Sequence, residues 1–257
     1  MPPSCAPSPG DSDYTAWMLA PVDPHAVYAA LDAGCGNGTR TAALRRRLAP
    51  HALVTAVDLD RDAVRASGSI PGVDAARADI SRLPHPDGSF DLVLAGHVLY
   101  YPSDPAGWLW EIRRVMSSRG MLLAATNSAR SGRRLLDLHV DACRSAGKAA
   151  MAARALAPTA RHRFTLENGA DQLRRVFADV TVRWRDDPLV FDSVAGALAA
   201  YRAGLFARGA PARMSSADRE RLADLLAPHM RASLMAAADA QGRIVIPRRS
   251  GCFTARG

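Results

Sequence analysis

Leu31-Asp32-Ala33-Gly34-Cys35-Gly36-Asn37-Gly38-Thr39 is the stretch on which the fold turns. An apolar run ends inside it and an amphipathic one begins just beyond, so it stands where a strand hands over to a helix. Glycine at 34, 36 and 38 permits a tight bend and lets main-chain N–H groups approach a ligand with no Cβ in the way. A phosphate-binding loop would need a lysine and then Ser or Thr after its last glycine, and no lysine follows here. The dinucleotide fingerprint G-x-G-x-x-G fails as well, because its third glycine would fall on Thr39.

Outward from this loop, short apolar runs alternate with longer amphipathic ones, the pattern of βα units around a mainly parallel sheet. Strands are expected at 27–31, 53–57, 74–78, 90–95 and 120–126, with helices near 39–48, 61–67, 105–117 and 131–145. In the third of these helices Trp108, Leu109, Ile112, Val115 and Met116 share one side at helical spacing and read as core. Residues 1–13, rich in Pro, Ser and Gly, read as a flexible tail, and 14–19 as a short helix. After Ala146 the chain becomes Ala-rich, which suggests a helical insertion over about 147–167. A helix at 168–177 and strands at 180–184 and 189–191 follow. Helices at 193–205 and 216–238 form a second insertion, about 192–240, before a strand-rich end at 243–254. Residues 14–257 thus read as one α/β domain interrupted twice.

The chain has 257 residues, 48% hydrophobic and 23% charged, which excludes disorder as the main state. No apolar run is long enough to span a bilayer and the start lacks the order of a secretory signal, so a cytoplasmic protein without membrane contact is expected. Cys5, Cys35, Cys143 and Cys252 lie far apart with no C-x-x-C pair, and read as free thiols. The net charge is +8, yet Lys148 is the only lysine among 33 basic residues. The arginine doublets at 113–114, 133–134, 174–175 and 248–249 are scattered rather than grouped, which favours a solvated surface over a polyanion-binding face.

Asp58 ends the second expected strand, where a carboxylate in a Rossmann-like sheet accepts hydrogen bonds from ribose hydroxyls. Asp79-Ile80 closes the third, offering a carboxylate and an apolar side chain to a purine. Asp32 stands beside the loop and can pin its backbone or meet a ligand amine. Any one of these aspartates alone reads as a cap or turn residue. Together, at the edge where open α/β sheets bind ligands, they favour a cationic, ribose-containing ligand over a pyrophosphate.

Here the chain resembles the class I S-adenosylmethionine-dependent methyltransferases. The glycine stretch is similar to the family's first motif, Val57-Asp58-Leu59-Asp60 to its second-strand acidic motif, and Ala78-Asp79-Ile80 with 83–91 to its adenine-side loop and fourth-strand entry. Glu111 to Met116 resembles the helix before the fifth strand, although the usual proline-glycine-glycine turn reads Ser118-Arg119-Gly120. The resemblance implies a Rossmann-like, seven-stranded, mostly parallel sheet with an antiparallel last strand at about 250–254, helices on both faces, and helical insertions that cover the substrate. It implies S-adenosyl-L-methionine as cofactor and S-adenosyl-L-homocysteine as product. Gly34, Gly36 and Gly38 would approach the methionine part, with Asp32 and Gly96 beside it. Asp58 and Leu59 would hold the ribose, and Asp79 and Ile80 the adenine.

Methyl transfer in such a fold belongs near the ends of the fourth and fifth strands. The Asn/Asp/Ser-Pro-Pro-aromatic signature of base-nitrogen methylation is absent, since Ala95-Gly96-His97-Val98 stands in its place. None of the cysteines follows the fourth strand, as carbon-5 cytosine methylation would require. His97 is the candidate general base, its rival reading being a packed histidine. Tyr14, Trp17, Tyr100, Tyr101 and Asn127 are candidate substrate contacts, with packing or turn roles as alternatives. His139 and His162 are assigned no chemistry, and no His and acidic cluster has metal-ligand spacing. The leading expectation is methylation of an oxygen or nitrogen of a small molecule of the kind made in specialised metabolism. RNA methylation and non-catalytic cofactor binding are the alternatives, and the oligomeric state is left open.

Overall fold

The computed structural model describes residues 11–157, 159, 162–203, 210 and 214–257. Among them are strands β1 (Ala29–Ala33), β2 (Leu53–Asp58), β3 (Val73–Arg77), β4 (Phe90–Gly96), β5 (Met116–Asn127), β6 (Asp179–Asp186), β7 (Leu189–Phe191), β8 (Ile244–Ile246) and β9 (Arg249–Arg256). The helices are α1 (Asp11–Leu19), α2 (Thr39–Arg47), α3 (Arg61–Gly68), α4 (Ala106–Val115), α5 (Arg133–Ser145), α6 (Ala149–Ala155), α7 (Gly169–Leu173), α8 (Val194–Ala203) and α9 (Ser216–Ala237). The described residues fall into two compact units. One is drawn from 11–129, 162–185 and 250–257, the other from 130–157, 159, 186–203, 210 and 214–249.

The first unit is built on a seven-stranded sheet of order β3-β2-β1-β4-β5-β9-β6. β1 pairs in parallel with β2 and β4, β2 with β3, and β4 with β5, whereas β9 runs antiparallel to β5. Because side chains alternate across a strand, the continuous apolar runs 92–95 of β4 and 121–125 of β5 feed two cores, one on each face of the sheet. Val93 and Ala95 of β4, Leu122 and Ala124 of β5, and Phe253 and Ala255 of β9 point to one face, where Leu109, Ile112 and Val115 of α4 cover them. Leu92, Leu94, Leu123, Ala125 and Cys252 point to the other, covered by Met18 and Leu19 of α1 and Leu44 of α2. Each such fully buried Leu or Val stabilises the fold by about 1.5–3 kcal/mol relative to exposure.

Two strand boundaries differ from the sequence reading for identifiable reasons. β1 begins at Ala29, because the N–H groups of Tyr28 and Ala29 both donate to Asp91 Oδ2, at 3.0 and 3.1 Å. It continues through Asp32 and Ala33, which pair with Ala56 and Val57. β5 begins at Met116 rather than Gly120: Met116 lies opposite Phe90, and the register shifts before Met121 pairs with Leu92. Helix α1 starts at Asp11, three residues before the expected position, and α7 is a single short helix within the longer one expected at 168–177. The expected helical end at 204–205 and part of the first insertion, at 158 and 160–161, lie outside the described residues.

The second unit packs α5, α6, α8 and α9 with the antiparallel pair β7 and β8. Leu135, Val140, Met151, Ala197, Leu226, Met230, Leu234, Ile244 and Ile246 form its core. Inside this core His139 Nδ1 lies 2.8 Å from the Tyr201 hydroxyl, and Cys143 Sγ lies 3.5 Å from His139 Nε2. Burial raises the pKa of both the Tyr201 phenol and the Cys143 thiol, as an apolar setting disfavours their charged forms. No helix among the described residues is long and apolar enough to cross a membrane.

Candidate functional site

The parallel register brings the carboxyl ends of β1, β2 and β4 to one edge, so the loop after Ala33, the Asp58 side chain and Gly96 are neighbours. The Gly34 and Cys35 N–H groups both donate to the Val57 carbonyl, at 2.8 and 3.1 Å, which pins the loop to β2. Gly34 (φ +85) is enclosed: a Cβ there would lie 2.6 Å from Val98 Cγ2. Gly36 (φ +54) is the opposite case, since a Cβ there would meet nothing within 4 Å. The loop therefore has a packed side and an open side, and bare main chain is presented on the open one.

Asp58 holds this arrangement from below. Its Oδ2 accepts from Gly36 N–H at 3.0 Å and its Oδ1 from Asp60 N–H at 3.0 Å. A carboxylate has about four acceptor positions, so each oxygen retains capacity for a ligand hydroxyl. Asp32 is fully buried, its Oδ2 accepting from Thr41 Oγ1 at 2.7 Å while Oδ1 has no partner. Burial raises its pKa, with the Thr41 hydrogen bond and the Arg40 charge acting the other way. A buried carboxylate oxygen left without a donor, an open glycine and a half-used aspartate together fit a ligand bearing a cation and vicinal hydroxyls.

Further along the edge, Leu59 is 51% exposed and so presents an apolar surface beside Asp58. Asp79 uses Oδ1 to accept from Ser81 N–H at 2.8 Å and remains exposed, whereas Ile80 is buried in the core. The loop that follows is held by a network the sequence did not disclose. Glu111 Oε1 accepts from Leu83 N–H at 2.7 Å, and Arg114 donates to both Glu111 oxygens, to Asp87 Oδ1 and to the carbonyls of Leu83 and His85.

At the end of β4, Gly96 is buried against the side chain of Arg40, whose Nε would lie 2.5 Å from a Cβ placed there. His97 follows with φ 60, and its N–H donates to the Ala125 carbonyl at 2.9 Å. Its Nε2 lies 3.1 Å from the Tyr14 hydroxyl, and the two rings are tilted with centroids 5.7 Å apart. Tyr14 in turn stacks on Trp17, and Arg183 lies over the Trp17 ring at 5.0 Å while donating to the Trp17 carbonyl. Three of the sequence candidates, Tyr14, Trp17 and His97, are thus brought together. Tyr100 packs partly buried against the core and touches Tyr101, which is 63% exposed. Asn127 does not join them by its side chain: its Oδ1 accepts from Ser250 Oγ at 2.7 Å, linking β5 to β9. Among the described residues no group of three or more His, Cys, Asp or Glu is placed to hold a metal.

Arg40, Arg114 and Arg183 escaped the sequence reading because an arginine's partners lie far along the chain. Arg40 alone left a signal, a charged side chain one position before the buried Thr41, where the first turn of α2 meets the sheet.

Residues 31–124 match the model of a family described as a methyltransferase domain. Over 114 residues, 43% of this chain and 33% of the relative, the chain is 35% identical to an uncharacterized 37.1 kDa protein in a transposon of Streptomyces fradiae. Over 100 residues, 37% of this chain and 34% of the relative, it is 34% identical to a probable S-adenosylmethionine-dependent methyltransferase of Mycobacterium tuberculosis. The matched part spans about a third of the length of these relatives. The fold is similar to that of the YcgJ protein of Bacillus subtilis, with a TM-score of 0.59, 17% identity, and coverage of 95% of this chain and 99% of that one. With the glycine loop, Asp58 and the antiparallel β9 in the places that fold requires, residues 31–124 carry a methyltransferase domain, and the chain is similar to S-adenosylmethionine-dependent methyltransferases.

Proposed function

We propose that the protein transfers a methyl group from S-adenosylmethionine to an oxygen or nitrogen of a small molecule, with His97 beside the acceptor. The observation that carries this reading is the backbone of His97. Among the described residues it is the only non-glycine residue with positive φ. A conformation of this kind costs about 1–3 kcal/mol and persists where its surroundings hold it, commonly at working sites.

When bound, S-adenosylmethionine supplies an electrophilic methyl group on a sulfonium. Gly34 to Gly38, Asp58 and Leu59 would hold its methionyl and ribose parts, and the Asp79 and Ile80 segment its adenine. His97 receives the acceptor's O–H or N–H proton. In the tautomer that donates Nε2–H to the Tyr14 oxygen, Nδ1 carries the lone pair and is the proton-accepting atom. Tyr14 then fixes the ring, and Trp17 with Arg183 fixes Tyr14. Tyr14, Trp17 and Tyr100 supply aromatic surface suited to a small, partly apolar acceptor.

The arginines favour a small acceptor over RNA. Arg114, Arg133, Arg174, Arg248 and Arg249, members of the four doublets, are each ion-paired with a carboxylate of this chain. An RNA-binding face would keep such groups for phosphates. The test is incubation with methyl-labelled S-adenosylmethionine and fractionated extract. Label in a small-molecule fraction, with formation of S-adenosylhomocysteine, is the expected result. Label in RNA would replace this reading with the nucleic-acid one, and cofactor binding with no labelled product in any fraction would leave a non-catalytic binder.

A further inference from the structure

The two edges of the seven-stranded sheet differ. β3, at one end, is five residues long and contributes no large exposed apolar side chain. β6, at the other, is eight residues long and contains neither proline nor glycine, and among the described residues no strand borders its far side. None of its residues is buried, and Val182 and Trp184 are 46% and 55% exposed. An edge presents a row of unpaired N–H and C=O groups that can take up another strand, and natural sheets commonly shorten or interrupt it. β3 is short in this way; β6 is not. Side chains alternate along β6, with Val180, Val182 and Trp184 on one face and Asp179, Thr181, Arg183 and Arg185 on the other. Val180 packs against the core and Arg183 donates to the Trp17 and Met18 carbonyls, so both faces are anchored to the first unit.

The order of residues along this edge is self-complementary. A second β6 laid antiparallel about a two-fold axis normal to the sheet keeps each face with its counterpart, so one residue lies opposite its own copy on the axis. With Val182 on the axis, Asp179 faces the second copy's Arg185 at both ends, Val180 faces its Trp184 and Thr181 its Arg183. Opposite charges and an aromatic side chain beside a β-branched one are favourable cross-strand pairs. Moving the axis to Arg183 sets two like charges against each other, and moving it to Thr181 leaves Trp184 and Arg185 beyond the end of the facing strand. Asp186, just past the paired stretch, is already held by Arg249 through two hydrogen bonds, at 2.7 and 2.9 Å. We infer that the protein forms a two-fold dimer in which the β6 edges of two copies join, in the register centred on Val182, into one continuous sheet.

Sedimentation equilibrium of the full chain measures the dimer, and charge reversal tests its register. Asp179→Arg or Arg185→Asp alone puts like charges opposite each other at both ends, and should raise the dimer dissociation constant by at least about tenfold. The two substitutions together restore opposite charges and should bring it back to within about threefold of the parent. A second measurement does not depend on those variants folding. Val182→Cys, on the axis, should give an interchain disulfide under mild oxidation, because directly opposed Cβ atoms come within disulfide reach; Thr181→Cys, displaced from the axis, should not. Cys35, Cys143 and Cys252 are buried, and the parent chain oxidised alongside reports any cross-link through Cys5. A parent chain that stays monomeric up to about 100 µM overturns the proposal. So does a dimer that the single reversals leave intact or the double reversal fails to restore, and so does cross-linking at Thr181→Cys in place of Val182→Cys.

Discussion

The Tyr14 hydroxyl lies 3.1 Å from His97 Nε2 although 83 positions separate the two residues in the chain. The contact joins the first described helix to the end of β4, and it holds a histidine whose backbone sits at φ 60. His97→Asn keeps a side chain that tolerates this left-handed conformation and removes the base. Turnover should fall by about 10²–10⁴-fold with a thermal midpoint near that of the parent. Tyr14→Phe should cost less in turnover and narrow the pH range of activity, because the ring loses its orienting partner. A His97→Asn enzyme that loses stability and keeps its turnover would assign the residue to packing.

Gly34 and Gly36 separate folding from binding within one loop. Gly34→Ala places a methyl group 2.6 Å from Cγ2 of the buried Val98 side chain. Overpacking of this kind costs about 1–3 kcal/mol and adds to the left-handed backbone penalty at φ +85, so the thermal midpoint should drop clearly. Gly36→Ala adds a methyl group to open space and pays only the left-handed backbone penalty of about 1–2 kcal/mol. Its main effect should fall on the ligand, with S-adenosylhomocysteine affinity down by about tenfold or more. Thermal scans and calorimetry on both variants check the contrast, and equal effects on stability and binding in the two would contradict it.

The loop, the acidic edge and the central strands were legible because their signals are local. Glycine spacing fixes the bend at 34–38, and continuous apolar runs mark β4 and β5 as buried on both faces. What was not legible depends on partners distant in sequence. The start of β1 is decided by Asp91, sixty-two residues away from Ala29, and the start of β5 by a register shift against Phe90. Asn127 reads as a polar residue past a strand end, yet its side chain is used by Ser250, 123 positions on. The packing of the Arg40 side chain on Gly96 exists only once the two have been placed across from each other.

The buried thiols set an alkaline limit. Burial pushes Cys35 up to about 11 and Cys252 up to about 12. In the unfolded chain the same thiols ionise near about 8.5. The folded pKa values are raised, so the unfolded state releases protons first as pH climbs. Stability contributed by the neutral thiols is therefore full below about pH 8.5 and is lost progressively up to pH 11 and beyond. Thermal midpoints measured from pH 8 to 11 should decline, and Cys35→Ala and Cys252→Ala should each flatten the decline whatever they do to the midpoint at pH 7. A slope unaltered in both variants would place the titrating groups elsewhere.

The loop after Ile80 offers the last test, because one arginine holds most of it. Arg114 pairs with Glu111 through Nε and Nη2, at 2.9 and 2.7 Å, and reaches Asp87 Oδ1 at 2.7 Å and the His85 carbonyl at 2.9 Å. Its guanidinium, through hydrogen bonding, keeps the Glu111 carboxyl below the usual carboxylate range. That lowered value means the contribution is present above the ordinary carboxyl pKa and fades as pH falls through the folded one. Arg114→Met removes donors from two carbonyls and two carboxylates at once and should destabilise the fold by about 1–3 kcal/mol in urea titration. Glu111→Gln keeps an acceptor for Leu83 N–H, so its cost should be smaller, and it should also remove part of the acid sensitivity of the parent. Because the same loop carries Asp79 and Ile80 at its start, Arg114→Met should weaken 5′-methylthioadenosine and S-adenosylhomocysteine alike. Loss confined to S-adenosylhomocysteine would show that the 83–87 loop does not bear on the nucleoside end of the site.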